Sequence, residues 1–87
     1  MKNLDVVVKN SAGLHARPAT LLVKLAQGFK SDIFIEKDGK KANGKSIMGV
    51  LSIGAAKGDK VSIEIIGEDE LEALMAVEEL FNERLDK

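Results

Sequence analysis

The chain has no cysteine, tryptophan or tyrosine, and only one proline and one histidine. Without cysteine, disulfide scaffolds, thiol nucleophiles and cysteine-ligated zinc all drop out, and no metal site is expected. The cytosol is the natural compartment for such a chain. Three phenylalanines are the whole aromatic complement, too few to stack bases, and a net charge of −1 does not attract nucleic acid. No apolar run approaches the ~20 residues of a membrane-spanning helix. The opening stretch MKNLDVVVKNS carries Asp5 inside a short strand-like run and lacks the apolar segment of a signal peptide.

What is present is an ordinary soluble composition, 45% hydrophobic and 31% charged over 87 residues, and residues 1–87 are expected to form a single domain. The charge is unevenly spread. Residues 68–87 hold eight acids against Arg84 and Lys87, while the other 67 residues carry eleven bases and six acids. An acidic tail helix on a basic body predicts a working face for acidic or phosphorylated partners, although two solvated faces without any steering role would give the same counts.

The order of elements is legible. Leu4 to Lys9 reads as a first strand and Asn10-Ser11-Ala12-Gly13 breaks it. From about His15 to Gln27 the pattern is helical, with Ala19, Leu22, Val23 and Ala26 on one stripe at i, i+3, i+4 and i+7. Gly28 takes the place of a capping glycine. Asp32 to Lys37 is a strand, Asp38-Gly39 a hairpin turn, and Lys40 to Asn43 the return strand. Ser46 caps a short helix to Ile53 that closes at Gly54. Lys60 to Ile66 alternates as a strand, and a last helix runs from about Asp69 to Leu85 with Ala73, Leu74, Val77, Leu80 and Phe81 inward. Its Glu68-Asp69-Glu70 start suits the positive end of the helix dipole. The class is α+β: an open-faced β-sandwich of order β-α-β-β-α-β-α, a four-stranded antiparallel sheet with three helices on one face. That plan hosts many functions.

The histidine and the proline lie together in Gly13-Leu14-His15-Ala16-Arg17-Pro18-Ala19. Pro18 has no N–H and belongs in a first helical turn. His15 then falls at or beside the N-cap, with the amides of Ala16 and Arg17 free to hold an anion. Arg17 adds a planar cation matched to phosphate oxygens, and Gly13 and Ala16 keep the approach open. A neutral imidazole nitrogen here can attack a phosphoryl group whose oxygens the amides and Arg17 then hold. No carboxylate base lies nearby in sequence to hydrolyse the adduct. A lone histidine at a helix start can also be no more than a cap or a surface residue.

The same heptapeptide resembles the active-site signature of the histidine-containing phosphocarrier (HPr) family of the bacterial sugar phosphotransferase system. Lys45-Ser46-Ile47-Met48-Gly49-Val50-Leu51-Ser52-Ile53-Gly54 resembles that family's regulatory serine site, and the two stand at the family's separation. The resemblance implies that His15 accepts a phosphoryl group on Nδ1 from phosphorylated enzyme I, charged by phosphoenolpyruvate, and passes it to a sugar-specific enzyme IIA. Arg17 would steady the group. The protein would be a monomeric carrier without a cofactor rather than an enzyme. Ser46 has two compatible roles: a helix cap contributing about 1 kcal/mol, and the family's target for HPr kinase/phosphorylase, whose product binds a catabolite control protein. Ile47, Met48 and Leu51 would join Ala16, Arg17, Thr20 and Lys24 in a partner surface. Lys45 would be on its rim, and Leu21 and Leu25 would widen it.

Rival readings fare worse. A sensing or structural domain of the same order leaves the paired motifs unexplained. A metal carrier would need a Cys-x-x-Cys loop, and an RNA-binding sheet would need exposed aromatics. Within the family, a purely regulatory paralogue would lack the histidine, and a nitrogen-branch carrier would match the serine region less well.

Overall fold

A computed structural model describes residues 1–85; Asp86 and Lys87, two of the charges counted in the tail, lie outside the described residues. Four strands form one sheet in the order β1-β4-β2-β3, with β1 Lys2–Val7, β2 Asp32–Lys37, β3 Lys40–Asn43 and β4 Lys60–Ile66. All three pairings are antiparallel. The turn residues Asp38 and Gly39 both take positive φ, 52° and 80°, the backbone a two-residue hairpin requires.

Alternation sorts the sheet into two faces. Val6, Val61, Ile63, Ile65, Ile33 and Ile35 are buried beneath the helices. The opposite face keeps Asp5 bonded to the Ser62 hydroxyl at 2.8 Å, and Lys41 2.7 Å from Glu64 and 5.0 Å above the Phe34 ring. The Glu64 hydrogen bond raises the Lys41 pKa. The expected open-faced architecture is therefore the observed one.

Helix α1 spans Ala16–Gln27, α2 Ile47–Ile53 and α3 Glu70–Glu79, the last running into a π-helical turn at Leu80–Arg84. The predicted stripe of α1 is buried, and Pro18 with it. Ser46 Oγ accepts from the Gly49 amide at 3.1 Å, and Gly54 closes α2 in the left-handed region.

Four details differ from expectation. β1 begins two residues earlier and ends at Val7, because its partner β4 stops at Lys60 opposite Val7; Val8 turns inward and bonds Asp59 and Gly58 instead. Gly28 caps α1 in a right-handed conformation, so its freedom of φ is not what ends that helix. The last helix widens after Glu79: Leu85 N–H reaches Leu80 C=O, and the wider turn brings Leu80, Phe81 and Leu85 all inside, while Leu74 is half-buried against that core. Asp69 does not cap α3 with its side chain. Its carboxylate accepts from the Lys30 and Ser31 amides at 2.9 Å each and from the Ser31 hydroxyl, stapling the start of α3 to the chain entering β2. Those bonds, the Ser31 hydroxyl first and the Lys30 amide next, lower its pKa from 3.8 to about 2.

Candidate functional site

The N-terminus of α1 is the one helix start whose cap is an imidazole. His15 is its N-cap residue, in extended backbone, and its exposed ring accepts a hydrogen bond from the Ala16 amide at Nδ1, 3.1 Å away. An accepting Nδ1 is unprotonated, so the neutral ring carries its proton on Nε2. The helical ladder begins with Ala19 N–H to His15 C=O, and Pro18 has no N–H. The Ala16 and Arg17 amides are therefore the two the helix leaves over. The sequence led us to expect both free; the structure turns the Ala16 amide onto the imidazole. The first turn contains no acid to compete with an incoming anion. Arg17 is exposed and makes no salt bridge among the described residues.

Beside the ring lies an open hollow of about 380 Å³, lined by Ala12, Leu14, His15, Ala16, Leu51, Gly54, Ala55 and Ala56. Apart from the His15 imidazole its lining side chains are all apolar, which suits an apolar protuberance of a protein partner more than a charged small molecule. Two loops build it, and they touch closely. Gly13 has φ +66°, and a Cβ there would come within 2.6 Å of the Ala55 carbonyl oxygen. Leu14 N–H donates to that same oxygen at 2.9 Å. Asp59 holds the far wall by accepting from the Ala56 amide at 2.8 Å and pairing with Lys37 at 3.0 Å. The Ala56 bond, then Lys37, holds its carboxyl below the usual carboxylate range.

Of the expected partner surface, the hollow unites Ala16 and Leu51 with His15. Met48 stands one turn before Leu51 on α2 and is 75% exposed, while Ile47 is half-buried against the core. Thr20 is half-buried and donates its hydroxyl to the Ala16 carbonyl at 2.7 Å; Lys24 is exposed in the last turn of α1. Leu21 and Leu25 are also half-buried against the core. Lys45 is not a free rim cation: its Nζ donates to the Phe29 carbonyl at 2.8 Å, occupying an acceptor just past the end of α1. Ser46 lies outside the hollow, its hydroxyl engaged by the Gly49 amide.

Reading the sequence missed Leu14 and the opposite wall, Ala55 and Ala56. The available signal was two runs of small residues, Ser11-Ala12-Gly13 and Gly54-Ala55-Ala56, whose contact across some forty positions no local pattern announces. Among the described residues no group of three or more His, Cys, Asp or Glu could hold a metal ion, and no helix is long and apolar enough to cross a membrane.

Known proteins resemble this chain along almost its whole length. The family described as "PTS HPr component phosphorylation site" matches residues 2–83. The HPr-like protein Crh of Bacillus subtilis (strain 168) is 54% identical over 74 residues, 85% of this chain and 87% of Crh. The crystal structure of HPr-C-His from Thermoanaerobacter tengcongensis superposes with a TM-score of 0.96 at 45% identity, covering 100% of this chain and 98% of that one. A crystal structure of an HPr dimer from the same organism matches at a TM-score of 0.80 and 45% identity, covering 100% of both chains. The chain belongs to the HPr family, the phosphocarrier proteins of the phosphotransferase system.

Proposed function

We propose that the protein is the general phosphoryl carrier of a sugar phosphotransferase system, with His15 the residue that carries the group. The observation behind this reading is the start of α1: an imidazole Nδ1 lone pair resting on an amide that the helix does not need, next to Arg17 and in a first turn that holds no acid. The Nδ1 lone pair attacks the phosphorus as the bond to the donor breaks. The Ala16 amide then exchanges Nδ1 for a phosphoryl oxygen, the Arg17 amide takes another, and the guanidinium offsets the remaining charge. With no carboxylate in the first turn or lining the hollow to activate water, the adduct persists until a partner removes it.

The donor is phosphorylated enzyme I and the acceptor a sugar-specific enzyme IIA. Both dock on Ala16, Arg17, Thr20, Lys24, Ile47, Met48 and Leu51, with an apolar side chain entering the hollow. One shared, small, partly basic surface suits weak and fast exchange with several partners. The protein acts as a monomeric cytoplasmic carrier of one domain, residues 1–87, turns nothing over by itself and needs no cofactor.

A second, regulatory role rests on Ser46 and on the 54% identity to Crh; a solved Crh structure is described as that of a catabolite repression protein. HPr kinase/phosphorylase would modify Ser46, and a catabolite control protein would read the product. Phosphate on an N-cap is favourably placed for the helix dipole, while its charge beside Ile47 and Met48 would weaken docking to acidic partners.

The test is to incubate the protein with enzyme I and phosphoenolpyruvate and follow intact mass. One acid-labile phosphate, absent in His15→Ala and retained in Ser46→Ala, is expected. No gain with an enzyme I that phosphorylates another HPr would overturn the carrier reading.

A further inference from the structure

His15 is exposed, and its ring has one hydrogen bond among the described residues, to its own neighbour's amide. Its placement is therefore set by the backbone that delivers it. That backbone is the loop from Asn10 to Leu14, which leaves the sheet at buried Val8 and re-enters the core at Leu14, 3% exposed. The peptide unit joining Gly13 to Leu14 is held at both of its polar ends. Its N–H donates to Ala55 C=O at 2.9 Å, and its C=O accepts from Asn10 Nδ2 at 2.7 Å. Gly13 N–H returns to Asn10 C=O at 3.1 Å, so Asn10 closes the loop with both its side chain and its main chain.

Asn10 is 3% exposed. Its Oδ1 has no hydrogen-bond partner among the described residues. A buried amide with one half unpaired by protein is expensive compared with an aliphatic side chain of similar size. The donor half on Gly13 is the use that justifies it. The side chain borders a separate cavity of about 80 Å³ with Lys9, Phe81, Asn82, Glu83 and Leu85, polar and roomy enough for a water to serve Oδ1.

We propose that Asn10 is a positioning residue for His15: by fixing the Gly13–Leu14 peptide plane two residues upstream, it aims the imidazole so that Nδ1 rests on the Ala16 amide. Without the Nδ2 donor that plane can rotate, Leu14 N–H leaves Ala55, and the ring loses its fixed approach to phosphorus. This deepens the carrier reading and rests on it.

The experiment compares Asn10→Ala and Asn10→Asp, which both lack the donor, with Asn82→Ala, which alters the same cavity and loses the Lys9 Nζ bond but none of the hydrogen bonds that hold the Gly13–Leu14 peptide. Enzyme I–dependent phosphorylation is measured well below each variant's melting temperature. Both Asn10 variants are expected to lower kcat about tenfold while the KM of enzyme I for the protein changes less than about twofold. Phosphoramidate, which can phosphorylate imidazole without a docking partner, should show the same fall, and the His15 Nδ1 nitrogen resonance should shift. Asn82→Ala should match the unaltered protein in all three. A lowered melting temperature with unchanged kcat, phosphoramidate rate and Nδ1 resonance would reduce Asn10 to a structural residue and overturn the proposal. So would a rise in KM alone, which would assign Asn10 to docking. If the unaltered protein takes no phosphate from a competent enzyme I, the carrier reading fails, whereas the Nδ1 shift still decides whether Asn10 aims the ring.

Discussion

The two residues proposed to carry phosphate occupy the same position on two helices and use it in opposite ways. Ser46 caps α2 from the inside: its hydroxyl reaches across the first turn to accept from the Gly49 amide, three residues on, and is thereby tied into its helix. His15 caps α1 from the outside: among the described residues its ring accepts from the adjacent Ala16 amide alone, and the Arg17 amide is left over. A cap that reaches three residues along locks the first turn and contributes stability. One that rests on its own neighbour's amide gives up part of that stability and leaves the ring at the helix start, where an anion is favoured. The start of α3 is a third case, in which Asp69 turns away from its own helix to bind Lys30 and Ser31.

The contrast breaks most sharply at His15. His15→Ala should abolish the acid-labile phosphate altogether while changing stability by no more than about 0.5 kcal/mol, since an exposed surface group is lost; intact mass and thermal melts check both. Arg17→Ala comes next. It should slow transfer about 10- to 100-fold, with Arg17→Lys recovering only part, because a point charge does not reproduce the planar guanidinium. Stopped-flow transfer from enzyme I would measure it.

Ser46 should invert the pattern. Ser46→Ala should cost about 1 kcal/mol of stability and leave the transfer rate within about twofold. Ser46→Asp should instead raise the KM of enzyme I for the protein, roughly tenfold, by placing an anion beside Met48 on the proposed docking face. If Ser46→Ala slowed transfer as strongly as Arg17→Ala, the division between the two caps would fail.

The smallest effect belongs to Asp69. Because its folded pKa is about 2, below the ordinary 3.8, its staple is fully present above about pH 4 and is lost as pH falls toward 2. Acid melts of Asp69→Asn should therefore show a shallower loss of stability across that window than the unaltered protein.

Much of this was readable in the chain. Strand β4 alternates, Ile33 and Ile35 share one side of β2, and the Asp38-Gly39 turn marks the hairpin that adds β3, so local pattern sufficed. The buried stripe of α1 follows from spacing, and the lone His–Arg–Pro cluster marks its own helix start. Other features were out of reach. Asn10 reads only as a strand breaker until its amide is seen on Gly13. Lys45 reads as a surface cation until it meets the Phe29 carbonyl, and Asp69 reads as a dipole residue until Ser31 is beside it.

The sequence by itself singled out the residues proposed to accept and hold a phosphoryl group, because that chemistry needs an imidazole, a guanidinium and a helix start within a few consecutive positions. Only the tertiary structure decided how His15 is aimed and what it faces. The Gly13–Leu14 peptide is held between Asn10 and Ala55, and the hollow joins the loop before α1 to the end of α2. Such contacts join positions some forty residues apart, and no periodicity or propensity reaches across that distance.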